Sequence, residues 1–155
     1  LDWVEIVTVE AVTRRRPQEL GFAYRSSRLA ESEIVSRVRF ALAPAPPESV
    51  RATLQSMRER RHAAQPKGIR TFGSTFKNPP GHSAWELLVA VGAADLAVGE
   101  ARFSPKHVNF IENAGAASTA QILALMAAAR ERVLARFGIE LEPEVRLLGE
   151  VRFPW

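Results

Sequence analysis

STAQILALMAAARERVLARFG, residues 118–138, is the stretch whose reading decides the fold. Ser118 followed three positions later by Gln121 is a capping box: each side chain satisfies a backbone donor that the first helical turn leaves unpaired. Ile122, Leu125, Met126, Val133 and Phe137 then recur at helical spacing, and Gly138 supplies the left-handed residue that ends such a helix. Met126 in that stripe reads as core. Downstream, Leu141–Leu148 reads as a strand, with Leu141, Val145 and Leu147 inward and Glu142, Glu144 and Arg146 on the other face. Upstream, Ala97–Phe103 and Val108–Ile111 are short strands and Ser83–Val91 a short helix. Residues 63–82, punctuated by Gln65-Pro66, Gly68, Gly73 and Pro79-Pro80-Gly81, read as one long loop without hydrophobic period. Pro47 suits the first turn of a helix over Glu48–His62, with Val50, Leu54 and Met57 on its apolar stripe. Ile34–Leu42 reads as a half-buried strand with Ile34, Val38, Phe40 and Leu42 on one face. Arg14–Pro17 reads as a turn and Trp3–Val9 as a strand. Helices and strands mix without a steady βαβ beat, which makes the fold class α+β.

The 155 residues are 46% hydrophobic and 25% charged, an ordinary globular composition that excludes whole-chain disorder, collagen and coiled coil. The absence of cysteine excludes a disulfide framework, a zinc–thiolate site, an iron–sulfur cluster and a cysteine nucleophile. No stretch approaches the roughly 20 apolar residues of a membrane span, and no signal peptide is visible. The first residue is Leu1, from which a chain that is processed, cut from a longer one or incompletely specified is expected. Charge is uneven: residues 1–70 hold 13 Lys and Arg against 8 Asp and Glu, the remainder 8 against 9. A solvated arginine-rich surface accounts for this, and attraction of a polyanion or a phosphorylated small molecule is the functional alternative. Few aromatics lie among the basic residues, so the stacking platform of single-strand nucleic-acid binders is missing.

Three polar places could carry chemistry. In Tyr24-Arg25-Ser26-Ser27, the planar fork of Arg25 could clamp a carboxylate or phosphate. Gly73-Ser74-Thr75-Phe76-Lys77-Asn78-Pro79 brings a hydroxyl, a cation and an amide to one segment, with a glycine that lets backbone approach a ligand. It fits neither a P-loop nor a nucleophile elbow. A strand would put Glu142 and Glu144 on one face, where paired acids can raise one pKa and yield a proton donor. The bland alternatives are a surface arginine, an ordinary turn and a solvated sheet face. His62, His82 and His107 lack metal-ligand spacing, and no metal is expected.

Taken in order, Gly-Phe-Ala-Tyr-Arg25-Ser-Ser, Gln65-Pro66, Gly73-Ser74-Thr-Phe-Lys-Asn78-Pro, Ser104-Pro-Lys-His107-Val-Asn109-Phe and Leu141-Glu-Pro-Glu144-Val-Arg resemble the C-terminal part of the UDP-N-acetylenolpyruvoylglucosamine reductase (MurB) family. The likeness runs from about residue 4 to Gly149. It implies an FAD-dependent, NADPH-driven cytoplasmic oxidoreductase of peptidoglycan synthesis that reduces UDP-N-acetylglucosamine enolpyruvate to UDP-N-acetylmuramate. It also implies an architecture: 1–43 as the end of an FAD-binding domain of the vanillyl-alcohol-oxidase type, 44–66 as a helix and connection, 67–149 as the substrate-binding domain and 150–155 as a tail. Neither nucleic acid nor membrane is an implied partner. Ser74 matches the family's proton donor, and Arg25 and Glu144 match the residues that support the developing enolate. Asn78 and His107 fall on substrate-lining positions, Arg60 or Arg61 is a phosphate contact, and Lys77 is a substrate residue and a candidate activator of Ser74.

The chain departs from the family pattern at Gly99-Glu100-Ala101 and Ala93-Ala94-Asp95, and the short Arg25-to-Ser74 spacing matches the type without an extra substrate-covering loop. The glycine-rich segments that hold the FAD pyrophosphate are expected upstream of residue 1, on a missing flavin-domain segment or another chain. The alternative function is a non-catalytic UDP-sugar-binding fragment.

Overall fold

Strand β1 (Trp3–Val7) is the middle of a three-stranded antiparallel sheet, flanked by β2 (Val12–Arg15) and β3 (Ile34–Arg39). This computed structural model describes residues 1–155 and separates into two units, Leu1–Ala52 and Thr53–Trp155. In the first unit, the alternation of β1 buries Val4 and Ile6 against Leu20. The expected turn at Arg14–Pro17 lies elsewhere. Thr8 Oγ1 accepts from the N–H groups of Glu10 (3.2 Å) and Ala11 (3.1 Å), so the chain reverses there and Arg14 and Arg15 pair opposite Glu5 and Val4. The Glu33 carboxylate takes both terminal nitrogens of Arg15 and the Ala30 N–H (2.9 Å). The Arg15 hydrogen bond first, and the Ala30 bond second, hold its pKa below the usual value.

Two expectations of burial fail in this chain. All six residues of β3 are exposed, and helix α1 (Pro47–Ala64) buries none of its residues, its stripe of Val50, Leu54 and Met57 included. Periodicity names an apolar face, but burial needs a facing layer.

In the second unit, β4 (Arg70–Ser74), β5 (Ala97–Val98), β6 (Ala101–Phe103) and β7 (Phe110–Asn113) form an antiparallel sheet in the order β4-β7-β6-β5. The loop expected over 63–82 therefore contains a strand, whose Arg70 and Thr71 pair with Asn113 and Glu112. Gly68 before it and Gly73 within it hid it. Helix α2 (Ala84–Ala90) is capped by Ser83, whose Oγ accepts from Glu86 N–H at 3.4 Å. Helix α3 (Thr119–Phe137) carries the expected box: Ser118 Oγ accepts from Gln121 N–H at 3.3 Å, and Gln121 Oε1 from Ser118 N–H at 3.0 Å. Leu125, Met126, Ala129 and Val133 of α3 lock into one core with Phe76, Leu88, Phe103, Ile111 and Leu141. Gly99-Glu100 is the two-residue turn between β5 and β6, and Gly99 takes its left-handed position.

The strand expected over Leu141–Leu148 is not formed. Only an isolated bridge joins Phe76 to Pro143, made by the bonds from Glu144 N–H to the Thr75 carbonyl and from Lys77 N–H to the Glu142 carbonyl. Leu141 is buried, and Val145 and Leu147 pack against the core from an irregular segment. No helix is long and apolar enough to cross a membrane.

Ser118→Ala removes the cap of α3 and should cost about 1 kcal/mol in chemical denaturation. Because the Glu33 pKa is lowered on folding, its contribution is complete above the ordinary 4.5 and is lost as pH falls through the lower folded value. The stability gap between the wild type and Glu33→Gln, measured by denaturation across an acid series, should therefore close below that range.

Candidate active site

Ser74 ends β4, its backbone opposite Phe110 of β7. The register slips between Thr71 and Ser74, and Gly73 absorbs the slip at φ +92°. A Cβ there would meet nothing within 4 Å, so the backbone borders open space. The next three residues, Thr75–Lys77, are bonded along both edges. On one edge, Thr75 N–H donates to the Asn109 carbonyl at 2.7 Å. The Asn109 side chain accepts from Phe76 N–H through Oδ1 (3.0 Å) and donates to the Phe76 carbonyl through Nδ2 (2.8 Å). On the other edge, Glu144 N–H donates to the Thr75 carbonyl and Lys77 N–H to the Glu142 carbonyl, both at 2.9 Å. Ser74 and Glu144, 70 positions apart in sequence, thus flank one short segment, and both are half-buried.

The two carboxylates do not share a strand face. Glu142 is exposed and ion-paired with Lys77 Nζ, and Glu144 is half-buried. Asn78 Oδ1 accepts from the N–H of Ala84, the first residue of α2, at 2.9 Å. His107 meets Phe110 edge-on at 4.7 Å, its Nδ1 is buried without a hydrogen-bond partner, and desolvation holds its pKa below 6.5. It is therefore a neutral ring at neutral pH.

The two candidate phosphate-binding arginines part company. Arg60 Nε turns back to the Ser56 carbonyl of its own helix at 3.5 Å. Arg61 lines a cleft of about 450 Å³ together with His62, Gln65, Lys67, Phe72 and Gly73. Lys106 Nζ donates to the His62 carbonyl and ties down that end of α1. Sequence reasoning missed Lys67 and Phe72 as cleft residues and Asn109 as a structural partner of Phe76. Lys67 follows the quoted Gln65-Pro66, and Asn109 stands inside the quoted Ser104–Phe110 stretch, so proximity was the available signal.

Arg25 belongs to the first unit, Ser74 and Glu144 to the second. It occupies a two-residue turn closed by Ala23 and Ser26, whose N–H and carbonyl groups exchange bonds at 3.1 Å each. It is the one non-glycine residue with positive φ (+54°), and its guanidinium lies 4.9 Å from the Tyr24 ring centroid. A left-handed arginine carries roughly 1–2 kcal/mol of strain, the kind that persists at functional positions.

A flavin dinucleotide needs a backbone cradle for its pyrophosphate. The residues of this chain do not fit one by themselves. None of its nine glycines stands in a Gly-x-Gly-x-x-Gly run, and Gly68, Gly73 and Gly81 front open space rather than a packed turn.

Residues 65–148 match the sequence profile of UDP-N-acetylenolpyruvoylglucosamine reductase, C-terminal domain. The chain belongs to this family. It is 42% identical over 149 residues to the UDP-N-acetylenolpyruvoylglucosamine reductase of Gluconobacter oxydans, covering 96% of this chain and 49% of that protein. To the enzyme of the same name from Anaeromyxobacter dehalogenans strain 2CP-C it is 46% identical over 147 residues, covering 95% and 45%. The crystal structure of UDP-N-acetylenolpyruvylglucosamine reductase (MurB) from Thermus caldophilus matches with a TM-score of 0.81 and 38% identity, over 94% of this chain and 52% of that one. The chain thus spans about half the length of the reductases it matches.

Asparagine tolerates the left-handed region better than arginine. Arg25→Asn should leave stability unchanged or raise it by up to about 1 kcal/mol in thermal unfolding. A clear loss would remove the strain assigned to Arg25.

Proposed function

We propose that this chain supplies the substrate side of an FAD-dependent, NADPH-driven reduction of UDP-N-acetylglucosamine enolpyruvate to UDP-N-acetylmuramate, a step of peptidoglycan synthesis. The observation that supports this reading is the two-edged bonding of Thr75–Lys77, which brings the main chain of Glu144 against the segment that follows Ser74, in a unit that also carries a cationic cleft. In this reading residues 67–149 are the substrate domain and 1–43 the end of the flavin domain. The residues that hold FAD and receive NADPH belong to polypeptide that the relatives possess beyond the span of this chain. FAD, held by that polypeptide and reduced by NADPH, would supply the hydride.

The reaction asks three things of the residues present here. Hydride adds to the methylene carbon of the enolpyruvyl group, and the electron pair of the double bond moves toward the carboxylate. A cation that meets that charge is stronger in the transition state than in the ground state, the condition for catalysis. Arg25 is assigned that task. Glu144, half-buried, is assigned a hydrogen bond to the same oxygens when its carboxyl is protonated. The neighbouring carbon must then gain a proton, and Ser74 is assigned as its donor. The serine hydroxyl is a weak acid and needs a partner to restore its proton. Lys77 is a poor candidate for that partner, since its ammonium is engaged by Glu142. Arg61, His62 and Lys67 bring two cations and an imidazole to the cleft and suit a diphosphate. Asn78 and His107 line the substrate in this reading.

In the flavin-loaded enzyme, Ser74→Ala should leave flavin reduction by NADPH fast and slow reoxidation by the enolpyruvyl substrate about 10²-fold or more. Stopped-flow absorbance of the flavin reads both half-reactions. Equal reoxidation rates would remove Ser74 from the acid role, and tight UDP-sugar binding with no reoxidation in the wild type would leave a binding module instead.

A further inference from the structure

We propose that Asn109 is a positioning residue of this site, one that sets Ser74 and Glu144 in register by acting on the backbone of Phe76; its catalytic consequence rests on the function proposed above. Regular pairing of β4 with β7 ends at Ser74 and Phe110. Before Phe110 the chain turns away: Ser104 N–H donates to the Phe110 carbonyl and Phe110 N–H to the His107 carbonyl, each at 2.8 Å. That turn removes the strand that would have paired with Phe76. The Asn109 carboxamide replaces it, accepting from Phe76 N–H at 3.0 Å and donating to the Phe76 carbonyl at 2.8 Å.

The substitution is chemically specific. A primary amide offers a donor and an acceptor in one plane, as a peptide group does. Aspartate keeps the acceptor and loses the donor, leucine of similar size keeps neither, and glutamine places the same groups one methylene too far. Asn109 is 5% exposed, so water does not stand in for a lost bond. Its own carbonyl holds Thr75 N–H at 2.7 Å, so one residue makes three bonds to two successive residues. Fixing those two peptide planes aims the Thr75 carbonyl at Glu144 N–H on the far edge and fixes the chain leaving Ser74. The Phe76 ring is anchored separately, fully buried in the core. Loss of the carboxamide therefore frees the backbone of the segment while the hydrophobic anchor remains.

The test compares wild type, Asn109→Leu and Asn109→Asp in the flavin-loaded enzyme containing this chain, with hydrogen exchange followed at the Phe76 and Glu144 amides. The expected result is slow wild-type exchange at both amides, at least 100-fold faster exchange at both in the leucine variant and at Glu144 in the aspartate variant, which keeps the acceptor for Phe76 N–H, and in each variant a kcat at least tenfold lower with KM for the UDP-sugar within threefold. Should the leucine variant not fold, the aspartate variant and the wild-type exchange rates decide. Fast wild-type exchange at Phe76, unchanged Glu144 exchange in the aspartate variant, or a raised KM with intact kcat each overturns the proposal. A wild type that binds UDP-sugar but never turns over sinks the function proposed above instead, and the exchange comparison then decides whether Asn109 sets the register.

Discussion

Three residues, Thr75 to Lys77, are held by hydrogen bonds on two edges at once, and the candidate chemistry hangs from that constraint. Buried backbone groups must find partners, because a lost one costs roughly 1–3 kcal/mol. Here the demand is met from two distant places, an asparagine side chain before β7 and the main chain of Glu142 and Glu144. The Phe76 ring, 1% exposed, plugs the segment into the core built by α3. Packing thus sets depth, and hydrogen bonding sets register. Neither alone would bring residues 74 and 144 to one place.

The polar surroundings follow the same economy. Lys77 and Glu142 neutralise each other at the solvent edge. His107, desolvated, is kept neutral, so it adds no charge next to the Phe110 that pairs with Ser74. The cations that remain for a diphosphate are Arg61 and Lys67 in the cleft. In the first unit Arg25 is held in a strained left-handed turn, a conformation that a purely structural position would give to glycine.

Legibility in the sequence followed locality. The capping box and terminal glycine of α3 act within a few residues, and they predict its ends well. The strand of β1 declares itself by β-branched alternation. Where an outcome depended on distant chain, local pattern misled. The apolar faces of β3 and α1 are present as read, yet they are exposed in this chain. Strand β4 contains a glycine, Gly73, and borrows its partner from residues 110–113, so nothing local announces it. Leu141–Leu148 alternates like a strand, but a single bridge, Phe76 to Pro143, is all that forms. Arg25, Ser74 and Glu144 were named from family likeness rather than geometry. The bond from Glu144 N–H to the Thr75 carbonyl needed the fold, and a carboxamide imitating a strand, as Asn109 does, has no periodic signature.

The central claim is the bond between the Thr75 carbonyl and the Glu144 amide, which joins the segment after Ser74 to residues 142–144. Scalar coupling through that hydrogen bond, from the Glu144 amide nitrogen to the Thr75 carbonyl carbon, reads it directly in a doubly labelled sample. The account predicts a resolved cross-peak linking these two residues and no other acceptor for the Glu144 amide. A sharp, assigned Glu144 amide coupled to a different carbonyl, or exchanging freely with water, would contradict it.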